Sequence, residues 1–204
     1  MTKLEAVNEV LAVCGTLPVP ALDTNGPSAA GMAERCIDEE ERKVQTQGWH
    51  YNTRRDVELT PDGSDKIAVP TGAITIDTYG ESYHRDITTK GGYLYDLDEN
   101  TDEFDDSIKA IVVYRFAFTC IPQPVQDFIV ASAAERYARL RNRADILPDL
   151  KVRTIKARSE ARRFDGLSAD INLLDTPEAR AMAGFRSRRI PLHGEAYWVT
   201  GLPS

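Results

Sequence analysis

The sequence predicts an α+β protein: a four-helix bundle-like α domain, an antiparallel β lobe inserted between helices two and three, and an extended C-terminal arm. Three observations carry this expectation. Apolar residues recur at helical spacing towards both ends of the chain. Between about residues 54 and 118 the period falls towards two. The regimes meet at Gln47-Gly48-Trp49-His50-Tyr51-Asn52, where Gly48 suits the left-handed position that closes a helix and the aromatics suit a seam between helices and sheet. The expected division is 1-53 with 119-166 as a discontinuous helical domain, 54-118 as the lobe and 167-204 as the arm. Gly48, Trp49 and Tyr51 are the candidate residues that orient the lobe.

The elements follow in order. Thr2-Lys3-Leu4-Glu5 is a capping-box pattern, and Leu4, Val7, Val10, Leu11 and Cys14 predict a helix over about 3 to 14, ended by Gly15. Leu17 to Pro27 reads as a loop, with Ser28 placed to cap a second helix over about 29 to 47. Ala33, Cys36, Ile37 and Val44 give that helix one narrow apolar stripe, expected to bury little within one monomer. Strands are predicted around Val57–Leu59, Ile67–Val69, Ile74–Thr78, Tyr83–Thr88, Tyr93–Asp96 and Lys109–Phe118, the last the most apolar and central. Thr89-Lys90-Gly91-Gly92 is the hairpin connection. Val125, Phe128, Ile129, Ser132, Ala133, Tyr137 and Leu140 then predict the best-buried helix, over 124 to about 141. Pro148 starts a fourth, running to Asp165-Gly166 with Leu150, Thr154, Ala157, Ala161 and Phe164 on its sparse apolar side. A short helix over Thr176–Met182 and an extended arm from Phe185 complete the reading.

Composition narrows the function classes. The 204 residues, 42% hydrophobic and 28% charged, suffice for a sizeable core. No window approaches a membrane span, and Met1-Thr2-Lys3-Leu4-Glu5 lacks the order of a signal peptide, which predicts synthesis in the cytoplasm. Cys14, Cys36 and Cys120 are odd in number and far apart, so they read as reduced packing residues. A net charge of −7 argues against a generic nucleic-acid coat. Yet Arg136 to Arg163 holds ten Lys or Arg against three acids, leaving the remainder strongly acidic. Arg136, Arg139, Arg153, Arg158 and Arg162 are therefore candidate interface residues, against the plainer reading of a solvated helix surface. In the arm, Phe185, Arg186, Arg188, Arg189, Tyr197 and Trp198 combine the side chains most enriched at interfaces.

Motifs for chemistry are lacking, and no catalytic residue, metal site or cofactor is predicted. His50, His84 and His193 are dispersed. His84-Arg85-Asp86 mimics a kinase catalytic loop, but Gly91 stands where asparagine is required. The acidic run from Asp96 to Asp106 invites a calcium reading, yet in that register Thr101 replaces the glycine and Ser107 the final glutamate. Carboxylate pairs such as Asp56 with Glu58 carry no meaning without geometry.

Four segments together resemble the tail tubular protein A family, the head-to-tail adaptors of short-tailed bacteriophages. Ala6-Val7-Asn8-Glu9-Val10-Leu11, with Gly15, Pro18-Val19 and Leu22, is similar to its opening helix and turn. Gln47 to Asn52 resembles its Gly-Trp box, with Tyr51 where phenylalanine is common. Gly91-Gly92-Tyr93-Leu94-Tyr95-Asp96 with Phe104-Asp105 resembles its hairpin, and Ile121-Pro122 through Phe128-Ile129 to Ala133-Ala134-Glu135-Arg136-Tyr137 the helix after the sheet. The resemblance covers roughly residues 4 to 140, and after about residue 165 the chain departs from the pattern.

The resemblance implies a virion structural protein of the tail, made in the host bacterial cytoplasm. It implies a ring of twelve subunits that sits beneath the portal protein. The ring would support the tail nozzle, tail tubular protein B, with the tail fibres as a further partner. Double-stranded DNA would pass through it without sequence-specific binding. The β lobe would then point to the nozzle or fibres, the arm to the portal and the basic helices to the neighbouring subunit. Two rivals remain open at this point: a hydrolase of envelope polysaccharide, and a cytosolic module that binds an acidic partner through Arg136 to Arg163.

Overall fold

Thr2 opens α1 (Lys3–Val13): its hydroxyl accepts the Glu5 N–H, and the Glu5 carboxylate accepts the Thr2 N–H. The predicted capping box is therefore formed. The computed structural model describes residues 1–22 and 28–169; Met1–Ala169 form one compact unit, within which the described elements are four helices, five strands and three 3-10 turns. Ser28 caps α2 (Ala29–Gln45) by accepting the Gly31 N–H. The order then runs β1 (Thr53–Leu59), β2 (Ala73–Thr78), β3 (Ile87–Lys90), β4 (Tyr93–Asp96), β5 (Ile108–Tyr114), α3 (Gln123–Leu140) and α4 (Leu147–Ser168). This is a mixed α+β chain with strands lying between its second and third helices.

The apolar stripe of α2 is a first correction. Ala33, Cys36, Ile37 and Val44 are buried within this one chain, together with Ala6, Val7, Val10 and Leu11 of α1 and most of α3. Small residues let the helices approach closely, so a narrow stripe suffices. α3 is the best-buried helix as expected, although Leu140, placed by spacing on its inner face, is exposed. α4 runs two residues past Gly166, and only Leu150 and Ala161 are fully buried along it; Phe164 keeps about a third of its surface exposed.

The strands form two small antiparallel sheets that share one apolar cluster. β5 is central in the order β1-β5-β2, and β3 pairs with β4. Central placement follows from composition, since Ile108, Ala110, Val112 and Val113 are buried on a strand with partners along both edges. β1 carries a bulge between Arg54 and Val57, where Asp56 takes a left-handed φ of +58°. The hairpin β3–β4 turns on Gly91 and Gly92, with φ of +62° and +87°, the pair of positive values that a type I′ turn needs.

Three predicted strands are corrected. Ile67–Val69 contributes a single bridge, Ala68 to Tyr93. Tyr83–Thr88 is a strand only from Ile87, because Gly80–Ser82 forms a 3-10 turn ahead of it. The central strand ends at Tyr114, before the last of the three 3-10 turns at Phe118–Cys120. The sheets enclose their own cluster, with Leu59, Ile67, Leu94, Phe104 and Ile108 buried. Cys14 and Cys36 are buried, whereas Cys120 is exposed and is not a packing residue. The expected helix at Thr176–Met182 and the arm from Phe185 lie outside the described residues.

Leu94 has no solvent exposure, so Leu94→Ala should lower unfolding stability by about 2–5 kcal/mol. Leu17 is almost fully exposed, and Leu17→Ala should stay within about 0.5 kcal/mol of wild type. Urea denaturation of the pair checks the placement of the second cluster.

Candidate functional site

The best-built polar constellation among the described residues is the joint where the chain leaves α2 for the sheet and later returns. α2 ends at Gln45, and Gly48 turns the chain with φ of +70°. A side chain there would meet Thr53 and Val113 only at ordinary contact distance, so the glycine answers to backbone conformation and not to lack of space. Trp49 follows, 4% exposed, its ring 6.3 Å from that of Phe128 on α3 and its indole N–H donating to the Val44 carbonyl at 2.6 Å. His50 to Asn52 make one 3-10 turn. Tyr51 packs on Phe116, with ring centroids 6.1 Å apart.

Two buried amides complete the joint, and sequence reading missed both. Gln45 Nε2 donates to the Phe116 carbonyl at 2.9 Å while its Oε1 accepts the Phe116 N–H at 2.8 Å. One side chain thus pairs with the returning backbone as a strand would. Asn52 Oδ1 accepts the Trp49 N–H at 2.9 Å, and its Nδ2 donates to the carbonyls of Gln45 and Tyr114 at 2.9 and 3.0 Å. Around this clasp Glu41, also buried, receives Lys3 Nζ at 3.3 Å, Gln45 Nε2 at 3.3 Å and Arg115 at 3.7 Å. α4 joins through Asp165, which accepts the His50 N–H at 2.7 Å. The available signal was the polarity of Gln45 and Asn52 on either side of Trp49, which reads equally as a solvated turn.

The Tyr51 hydroxyl is buried without a hydrogen-bond partner among the described residues. Burial pushes its pKa well above the usual 10.0, with the carboxylates of Glu41 and Asp165 adding to the shift. Burial also raises the Cys36 thiol to about 11 and the Cys14 thiol upwards, which leaves both protonated and poorly nucleophilic at neutral pH.

The basic candidates divide. Arg136 of α3 pairs with Glu39 and Glu40 of α2, Arg139 with Glu135 one turn away, and Arg153 of α4 with Glu9 of α1. Arg158 and Arg162 are exposed, with no ion pair among the described residues. The six arm candidates, from Phe185 to Trp198, lie outside the described residues.

Chemistry finds little geometry to work with. His84 Nδ1 lies 3.0 Å from the Glu81 carbonyl, and His50 is exposed. Among the described residues no group of three or more His, Cys, Asp or Glu is placed to hold a metal ion. The acidic run is a turn in which Asp96, itself buried, accepts the N–H groups of Asp98 and Glu99 at 2.9 and 3.0 Å. Lys66 pairs with Asp102 at 2.6 Å, which raises the lysine and lowers the carboxyl pKa. No described helix is long and apolar enough to cross a membrane.

Among the described residues the most elaborate polar arrangement is thus this joint between helices and sheet. Residues 4–166 match the family described as tail tubular protein. Tail tubular protein A of Klebsiella phage KP34 is 28% identical over 123 residues, which is 60% of this chain and 64% of that relative. The alignment thus spans less than two thirds of the relative's length. The chain belongs to the tail tubular protein family, whose members are structural components of phage tails.

Trp49→Ala should cost about 3–5 kcal/mol, because a buried indole is removed from the seam. Gln45→Leu strands the Phe116 N–H and carbonyl, at about 1–3 kcal/mol for each group left unsatisfied. Thermal melts of both variants check the clasp. Tyr51→Phe discards a hydroxyl that has no partner among the described residues, so neutral-pH stability should equal or exceed wild type. Because the folded pKa of Tyr51 lies above its unfolded value, its contribution is intact below about pH 10 and is lost as pH rises further. Alkaline melts should therefore fall less steeply for Tyr51→Phe than for wild type.

Proposed function

We propose that this protein is a head-to-tail adaptor: a ring, of twelve copies by the family resemblance, that sits beneath the portal and carries the tail nozzle, tail tubular protein B. The observation that carries the reading is the family match over residues 4–166, which takes in the helices, the joint and the sheets together. In this reading residues 1-53 and 119-166 form a bundle-like, ring-forming wall. Residues 54-118 are a lobe directed at the nozzle or fibres, and 167-204 an arm that engages the portal.

The roles follow from physical character. Gln45, Trp49, Tyr51 and Asn52 would set the angle of the lobe, since hydrogen bonds to fixed backbone groups admit one geometry. α4, with few buried positions and a basic outer surface, supports a wall that packs against a neighbouring copy. The net charge of −7 supports unhindered passage of DNA, because like charge opposes adsorption of phosphate.

Mass photometry of the protein with and without portal tests the reading, and an adaptor should give a ring in the presence of portal. Deletion of residues 185–204 should leave the melting transition in place while portal pull-down is lost. Unchanged portal affinity in that variant removes the arm from the contact.

A further inference from the structure

α4 holds six Lys or Arg against three acids. Lys151, Lys156, Arg158, Arg162 and Arg163 are all exposed, and among the described residues its one ion pair is Arg153 with Glu9. The same helix exposes Val152 by 52%, Ile155 by 68% and Leu167 by 72%. A groove of about 410 Å³ beside Ile155 and Arg158 reaches down to Phe128. Apolar side chains among unpaired cations describe a docking face for protein, since duplex phosphate would satisfy the cations and leave Val152 and Ile155 wet.

The complementary surface lies on the same chain. Residues 54–118 carry fourteen acids against seven Lys or Arg, which equals the whole net charge of −7. Between β4 and β5 the chain exposes Asp98, Glu99, Glu103, Asp105 and Asp106, and Leu97 stands half-exposed among them. Of the acids in this loop, Asp102 is the one with an ion pair among the described residues. It offers what α4 lacks, an apolar side chain ringed by unpaired carboxylates.

We propose that the loop at residues 97–106 of one copy docks on the outer face of α4 in the next, with Leu97 against Val152 and Ile155 and its carboxylates against Arg158 and Arg162. The two faces differ, so the contact is heterologous, and any open chain of copies keeps one free loop at one end and one free α4 face at the other. Such contacts propagate and close into a ring when the rotation per copy permits. The inference rests on the ring reading and names the surfaces that make it.

The test is charge exchange on the full chain, followed by mass photometry with and without portal. Arg158→Glu with Arg162→Glu should weaken assembly about ten-fold or more, as should Asp105→Lys with Asp106→Lys, and combining both sets should restore it. Melting temperatures near wild type show that the exposed substitutions leave the fold intact. Rings of the α4 variant at wild-type concentration overturn the inference and leave the ring reading standing. Loss in each set without recovery in the combination overturns the pairing of these two surfaces. Normal assembly with lost retention on duplex DNA assigns the face to nucleic acid and overturns it too. A wild-type protein that stays monomeric with portal present removes the ring reading, and the inference with it.

Discussion

The pairing of the Gln45 side chain with both backbone groups of Phe116 is the constraint on which the rest of the chain depends. The polypeptide leaves its helices after Gln45 and comes back at Phe116, some seventy residues later, so two distant crossings must meet at one place. Apolar packing alone brings surfaces together without fixing their angle, because burial is non-directional. A buried amide is different: it must be satisfied, and here only one placement of the returning strand does so. Asn52 then ties the same point to Tyr114 and Trp49, and Glu41 is held by Lys3 and Arg115 at its edge.

The same device recurs at smaller scale. Asn8 of α1 pairs with Val19 through both ends of its amide, accepting the N–H at 2.8 Å and donating to the carbonyl at 3.0 Å. Beyond α1, Arg143 donates to the Cys14 carbonyl at 2.8 Å while also pairing with Asp145, which satisfies an acceptor that the helix end leaves free. Asn8, Val19 and Asn52 all lie in segments that carry the family resemblance. The structure thus gives those segments a physical content: they hold loops and strand ends to helices through side-chain amides.

Much of the fold was legible because it rests on local rules. The Thr2 and Ser28 caps, the Gly48 stop, the Gly91-Gly92 turn and the central place of β5 each follow from a residue type at a fixed position. The errors arose where local signals are ambiguous. Ile67 and Val69 alternate like a strand, yet the chain there makes one bridge alongside β4 and buries Ile67 in the cluster of the sheets. Leu140 continues the spacing of α3 but is its last residue, and it stays exposed. Gln45 and Asn52 were invisible because their partners are backbone groups brought near by tertiary structure, which no spacing in the sequence records.

The two apolar clusters meet across a polar seam, and that arrangement has a mechanical consequence. A continuous apolar core would let helices and sheets settle at any of several nearby angles with similar energy. The clasp replaces that freedom with a discrete choice, since rotation at the seam would break the Gln45 and Asn52 bonds together and expose or strand each partner. In a repeated assembly an angular error at one joint is multiplied by every copy, so a part that must present a surface in a fixed direction gains more from directional bonds than from additional buried area. In the proposed ring, the joint would be where the stability of the subunit and the geometry of its assembly become the same problem.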